Sequence, residues 1–167
     1  SNRVSFPNLS NSQKSTDAKG VGVIGAGNFA FSILLPHLAK SGAVLRTVAD
    51  LNPAAARQAA KKFKFQNACT DYRDLLADSG VGTVFILSGH NSHARLVLEC
   101  LEAGKNVFVE KPLAISKEDL DRIARLMESR KKNSGRPILM VGFNRRFSPH
   151  IAAVTKLLRG RTGPLCL

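Results

Sequence analysis

Val21-Gly22-Val23-Ile24-Gly25-Ala26-Gly27-Asn28-Phe29-Ala30 is an apolar run that breaks at glycines and restarts with the pattern of a helix. Val21, Val23 and Ile24 suit a buried parallel strand. Gly25 allows a tight turn, Gly27 lets backbone approach a pyrophosphate, and Ala30 is small enough for helix and strand to pack closely. Phosphates placed there meet backbone N–H groups at the positive end of a helix dipole. The G-x-G-x-x-A spacing also occurs in unrelated glycine-rich turns, so its surroundings decide the reading.

Twenty positions after Ala30, the β-prone run Val44-Leu45-Arg46-Thr47-Val48-Ala49-Asp50 ends in a carboxylate. A carboxylate there accepts hydrogen bonds from the ribose hydroxyls of NAD and repels the 2′-phosphate of NADP. Leu51 and Asn52 follow with no adjacent arginine, although Arg57 comes soon after in the next helical pattern. NAD is therefore the favoured cofactor, NADP the less favoured. A plainer reading stays equally open, in which Asp50 only ends a strand and Asn52-Pro53 caps a helix.

From Gly20 onward strand and helix patterns alternate, which implies an α/β fold: a doubly wound parallel sheet of about six strands with helices on both faces. Residues 29–39 read as a helix bent or shortened by Pro36, which removes an internal hydrogen bond. Ala56, Ala59, Ala60 and Phe63 recur at helical spacing behind Asn52-Pro53. Residues 66–70 read as a short strand, 71–78 as a short helix and 81–87 as a strong strand. Ala94, Val97, Leu98 and Leu101 form one apolar helix face that Gly104 terminates. Residues 106–109 read as a buried strand. Ser116 caps a helix expected to bury Leu120, Ile123, Ala124 and Met127 and to end at Ser134-Gly135. Residues 138–143 read as a sixth strand, and Ile151, Val154 and Leu158 mark a last helix.

Residues 1–19 are rich in Ser, Asn and Lys without apolar period and read as a flexible leader or linker. The expected organisation is thus a leader at 1–19, a dinucleotide-binding domain at 20–146, and a linking helix with the start of a truncated C-terminal domain at 147–167.

With 167 residues, the chain is long enough for one well-buried domain. No apolar run approaches the roughly 20 residues that span a bilayer, and no secretory signal pattern opens the chain, so a cytoplasmic protein without membrane contact is expected. Cys69, Cys100 and Cys166 are widely spaced and form neither a disulfide framework nor a metal site. The formal net charge of +13 raises a nucleic-acid reading. Its distribution argues against one: Lys61-Lys62, Arg122, Arg125 and Arg130-Lys131-Lys132 lie on several helices without aromatic interleaving, as on solvated helix faces.

Ligands of open parallel sheets bind outside the carboxyl ends of the strands. Gly25 to Ala30, Asp50, Ser88 to His93, Glu110-Lys111-Pro112 and Asn144-Arg145-Arg146 all fall at such ends. Lys111 is the residue expected to carry chemistry, because an ammonium beneath a nicotinamide can donate a hydrogen bond to a substrate oxygen as hydride leaves. The tripeptide alone reads first as a surface loop whose lysine pairs with Glu110. His90 and His93 have an alternative as capping or packing groups, and Arg145 and Arg146 either bind an anionic substrate or add to a basic surface.

The series G-A-G-N-F-A, A-D-L-N-P, S-G-H-N-S-H, A-G-K-N-V-F-V-E-K-P-L-A and V-G-F-N-R-R-F-S-P resembles the cofactor domain of the Gfo/Idh/MocA oxidoreductases over nearly all of residues 20–167. The resemblance implies a Rossmann domain that binds NAD(P), followed by an α+β domain that supplies substrate pocket and often dimer contacts. Substrates in the family are sugars, inositols and nucleotide sugars. By position, it implies that Gly25, Gly27, Asn28 and Phe29 hold the pyrophosphate and Asp50 the adenosine ribose. Ser88, His90 and His93 line the nicotinamide side, Glu110 contacts the cofactor, Lys111 faces the reacting carbon, and Asn144 and Arg145 are candidates for substrate. Ser88-Gly89-His90 stands where most members have Thr-Pro-Asn. The family's catalytic histidine belongs to the second domain, beyond Leu167. The expectation is therefore an excised cofactor domain, inactive alone, whose complete protein forms homo-oligomers through the absent domain. The wording of the motifs also resembles members in which this unit follows an alcohol-dehydrogenase-like half, with 1–19 as the linker. The alternative class is a non-catalytic dinucleotide-binding sensor.

Overall fold

The computed structural model describes residues 3–5, 19–130 and 135–163. Its strands are β1 (Val4–Ser5), β2 (Gly20–Ile24), β3 (Leu45–Ala49), β4 (Asn67–Cys69), β5 (Val81–Ile86), β6 (Asn106–Glu110) and β7 (Leu139–Gly142). They form one seven-stranded sheet in the order β1-β4-β3-β2-β5-β6-β7. β2 to β7 pair in parallel, and β1 adds an antiparallel edge against β4. The helices are α1 (Leu35–Lys40), α2 (Pro53–Phe63), α3 (Tyr72–Ala77), α4 (His93–Glu102), α5 (Lys117–Ser129) and α6 (Pro149–Leu158).

The alternation of side chains along β2 divides the core in two. Val21 and Val23 face a cluster with Leu35, Ala56, Ala60 and Phe63, from α1 and α2. Ile24 faces the other cluster, with Leu75, Val97, Leu101 and Ile123, from α3, α4 and α5. The sheet is thus wound on both faces, as the apolar runs predicted. Gly22 lies on the second face, where a Cβ would come 2.8–2.9 Å from the branched end of Leu75, itself fully buried. No side chain fits there without displacing that leucine.

Helix starts follow the expected chemistry. The Asn52 side chain accepts from the N–H groups of Ala54 and Ala55 ahead of Pro53, and Ser116 accepts from Asp119. Four details differ from the sequence reading. The helix expected over 29–39 is continuous but not α throughout: a π-helical turn, Ala30–Leu34, runs straight into α1, with the Leu35 N–H donating to the Ala30 carbonyl, and Pro36 follows it in the first turn of α1. On α5 only Ile123 is buried, with Met127 half-buried; Leu120 and Ala124 are exposed, because this helix packs against α4 along a narrower stripe than the periodicity implied. No residue of α6 is buried, so the apolar spacing of Ile151 and Val154 marks an exposed face, while Leu158 is half-buried. Finally, Val4–Ser5 departs from the flexible leader expected over 1–19, since its pairing is made by backbone, which periodicity does not reveal. Residues 1–2 and 6–18 of that leader, Ser134 at the expected end of α5, Cys166 and the end of the expected linking segment lie outside the described residues.

The amino ends of the strands are fixed by a polar pin. Buried Lys105 donates through Nζ to the carbonyls of Asp78 at 2.9 Å and Val81 at 2.8 Å. The Asp78 carboxylate accepts from Arg3 at 2.9 Å, Arg46 Nε at 3.2 Å and Gly80 N–H at 2.9 Å. Burial works to raise the Asp78 pKa, but the Gly80 N–H and the guanidiniums of Arg46 and Arg3 prevail and hold it below the usual carboxylate value. Among the described residues, no helix is long and apolar enough to cross a membrane.

Two predictions concern stability. Gly22→Ala should lower it by about 1–3 kcal/mol, read from the urea midpoint, with part of the loss recovered by adding Leu75→Val. Burial first, with nearby carboxylates adding to it, pushes the Cys69 thiol up to about 11 and the Cys100 thiol to about 12, from 9.0. Both therefore stay protonated in the folded chain while the unfolded chain ionises, so the stability present below pH 9.0 is lost as pH rises towards those values. The Cys69→Ala/Cys100→Ala variant should show a flatter fall of the urea midpoint between pH 9 and 11.

Candidate functional site

β2 lies between β3 and β5, and the chain passes to one side of it through β4 before crossing to the other. The loops after β2 and β5 therefore diverge, and a crevice opens at the carboxyl ends of the strands. Gly25 sits at its base with φ +99°, and a Cβ there would lie 2.8 Å from the Leu87 carbonyl carbon and oxygen and from the Ser88 nitrogen. Both the backbone angle and the contact require glycine. At Gly27 a Cβ would meet nothing within 4 Å, which leaves this exposed backbone open to an approaching ligand. Ala30 is buried against the α1–α2 face, the small-residue position that brings helix and strand together. The crevice holds about 280 Å³ and is lined by Ile24, Gly25, Gly27, Ala49, Asp50, Leu51, Thr70, Tyr72, Leu87, Ser88 and Gly89.

Asp50 closes one wall. Its Oδ2 accepts from the Ala26 N–H at 2.7 Å and its Oδ1 from the Asn52 N–H at 2.8 Å. Each carboxylate oxygen keeps a further acceptor direction, so the group is aimed by backbone donors without being exhausted by them. The same bond to Ala26 ties the end of β3 to the glycine turn.

Of the residues expected at the site, Gly25, Gly27, Asp50 and Ser88 share this crevice. Asn28 and Phe29 stand exposed just before the π-helical turn, Phe29 at 45%. The Ser88 and Ser92 hydroxyls lie 2.7 Å apart, and Ser92 donates to the Gly89 carbonyl, so the loop after β5 is closed on itself. His90 is exposed in a 3-10 turn. His93 is fully buried behind that loop, its ring nitrogens against the backbone carbonyls of Pro112 and Ser88, so it does not line the crevice. Glu110 ends β6 and accepts from the Asn144 side chain at 2.9 Å, which joins two of the expected residues to each other. Lys111 is exposed directly after β6, before a cis bond to Pro112. Arg145 is exposed in the 3-10 turn after β7.

Leu51, Thr70, Tyr72 and Leu87 line the crevice and were not singled out by the sequence. Leu51 is 90% exposed, and its place directly after Asp50 was the available signal. Thr70 and Tyr72 follow β4, a strand too short to advertise its carboxyl end. The Tyr72 hydroxyl donates to Glu99 at 2.7 Å and accepts from Arg95 at 2.6 Å, and burial followed by the Glu99 carboxylate pushes its pKa above the ordinary value.

Comparison with known proteins agrees with this geometry. Residues 19–135 match the GFO_IDH_MocA family model, described as an oxidoreductase family with an NAD-binding Rossmann fold. A myo-inositol 2-dehydrogenase of Thermotoga maritima is 33% identical over 143 residues, which cover 85% of this chain and 41% of that one. An inositol 2-dehydrogenase of Gluconacetobacter diazotrophicus is 38% identical over 130 residues, 77% of this chain and 37% of its own length. Among solved structures, a Lactobacillus casei myo-inositol dehydrogenase in complex with NAD(H) and myo-inositol superposes with a TM-score of 0.72 at 31% identity, covering 83% of this chain and 40% of that one. KijD10, a 3-ketoreductase from Actinomadura kijaniata in complex with NADP and TDP-benzene, gives 0.73 at 26% identity, covering 83% of this chain and 41% of its own. The chain thus spans about two fifths of the length of these relatives. With its glycine turn, its strand order and most of its length accounted for by that model, the chain belongs to the Gfo/Idh/MocA oxidoreductase family, through the family's NAD-binding Rossmann domain.

Proposed function

We propose that this chain is the cofactor domain of a longer oxidoreductase, one that moves a hydride between nicotinamide and a hydroxyl or carbonyl carbon of a sugar, inositol or nucleotide sugar. The crevice at the switch point carries this reading, because it joins an obligatory glycine turn, an anchored carboxylate and the Ser88 loop in one site. Residues 20–146 form the Rossmann unit, with α6 linking to substrate-binding and oligomerising parts of the longer protein, as the share of its relatives' length suggests.

The residues present fit a dinucleotide. Gly27 leaves room for a pyrophosphate, and the two hydrogen bonds on Asp50 hold its carboxylate ready for ribose hydroxyls. A 2′-phosphate would meet the same carboxylate, so NAD is preferred over NADP. When bound, the nicotinamide supplies the hydride chemistry. The chain's contribution is to hold the dinucleotide at Gly25, Gly27, Asn28, Phe29 and Asp50 and to present Lys111 at the carboxyl end of β6. The Lys111 ammonium donates a hydrogen bond to the substrate oxygen and stabilises the charge that develops there. Ser88, His90 and Glu110 shape the nicotinamide side, and Asn144 and Arg145 border the substrate.

Calorimetric titration of this chain with NAD⁺, NADH, NADP⁺ and NADPH should show a preference for the non-phosphorylated pair. Asp50→Ala should weaken that binding about 10- to 100-fold, a loss of about 1.4–2.7 kcal/mol. In the full-length protein, Lys111→Ala should lower kcat by at least about 100-fold while leaving cofactor affinity within about 2-fold. Equal binding of all four dinucleotides would remove the ribose role from Asp50, and undiminished turnover would remove Lys111 from the chemistry.

A further inference from the structure

His93 is a fully buried side chain whose two ring nitrogens both face backbone carbonyls. Nδ1 lies 2.7 Å from the Pro112 carbonyl oxygen and Nε2 3.0 Å from the Ser88 carbonyl oxygen. The two carbonyls belong to different loops, one directly after Lys111 at the end of β6 and the other at the mouth of the crevice after β5. The imidazole itself stands at the first residue of α4, whose Ala94, Leu96, Val97, Leu98, Cys100 and Leu101 are buried. It is therefore a bracket mounted on a helix packed into the core along most of its length. The Ser88 end of the bracket is in turn pressed against the glycine turn, since a Cβ on Gly25 would already meet the Ser88 nitrogen at 2.8 Å.

From this connection we infer that His93 is a positioning residue for the proposed hydride transfer. Its ring fixes the Lys111–Pro112 backbone against the Ser88 loop and so sets where the Lys111 ammonium stands relative to a nicotinamide held by the crevice. The inference rests on the dehydrogenase reading above and assigns His93 a place behind the site rather than in it. Both partners are acceptors, so a neutral imidazole donates to one of them at a time and an imidazolium to both. The shorter contact is to Pro112, the side that carries Lys111. A displacement of about 1 Å in a reacting group is enough to cost about 100-fold in rate, so a bracket of this kind matters to turnover without touching substrate.

The test compares His93→Leu, His93→Asn and His93→Gln, since an Asn amide replaces Nδ1 and a Gln amide replaces Nε2. In this chain, ¹⁵N relaxation of the Lys111 and Leu113 amides should report a rigid backbone in the wild type, lost in His93→Leu and restored more fully by Asn than by Gln. In the full-length enzyme, His93→Leu should lower kcat about 10- to 100-fold with KM for NAD changed less than about 3-fold, and Asn should again rescue better than Gln. Unchanged order at Lys111 in His93→Leu overturns the proposal, as does unchanged kcat. Equal loss in all three variants, together with lost cofactor binding, also overturns it and leaves a purely structural role. A wild-type chain that binds no dinucleotide overturns the dehydrogenase reading and the catalytic part of the inference with it, while the relaxation arm still decides whether the bracket exists.

Discussion

The close approach of Gly25 to Leu87 and Ser88 is the constraint around which the site is arranged. With a Cβ 2.8 Å from three backbone atoms, no other residue lets the turn after β2 and the loop after β5 share the space above the sheet. Because the approach is backbone to backbone, it also fixes the loop whose carbonyl meets His93. The same turn offers the Ala26 N–H to Asp50, so the end of β3 is drawn in as well. One missing side chain thus aligns the carboxyl ends of three strands.

Much of this was legible in the residues. The apolar run of β2, the small residue at Ala30 and the carboxylate at Asp50 each imply a particular packing, and these packings agree with one another. The helix caps at Asn52 and Ser116 were readable because capping is local chemistry between a side chain and the next turn. Local agreement of this kind is what a sequence records best.

What escaped was the part that depends on long-range pairing. His93 reads as a polar residue beside a loop and was expected on the nicotinamide side; only the fold shows that Pro112 has been brought behind it. Tyr72 and Thr70 enter the crevice through the position of β4 in the sheet, which no periodicity specifies. Leu120 and Ala124 follow a helical stripe yet stay exposed, since spacing tells which face is apolar and not how much of it is covered. Val4–Ser5 joins the sheet by main-chain bonds, which leave no mark on side-chain pattern.

The Lys105–Asp78 pin lies at the opposite end of the strands from the crevice. The sheet is therefore tied at both borders, by backbone contacts around Gly25 at one and by charged side chains at the other. Changes in the loops around Ser88, Lys111 and Asn144 leave untouched this far ionic knot, which ties the residues ahead of β5 and β6 to one another and to β3.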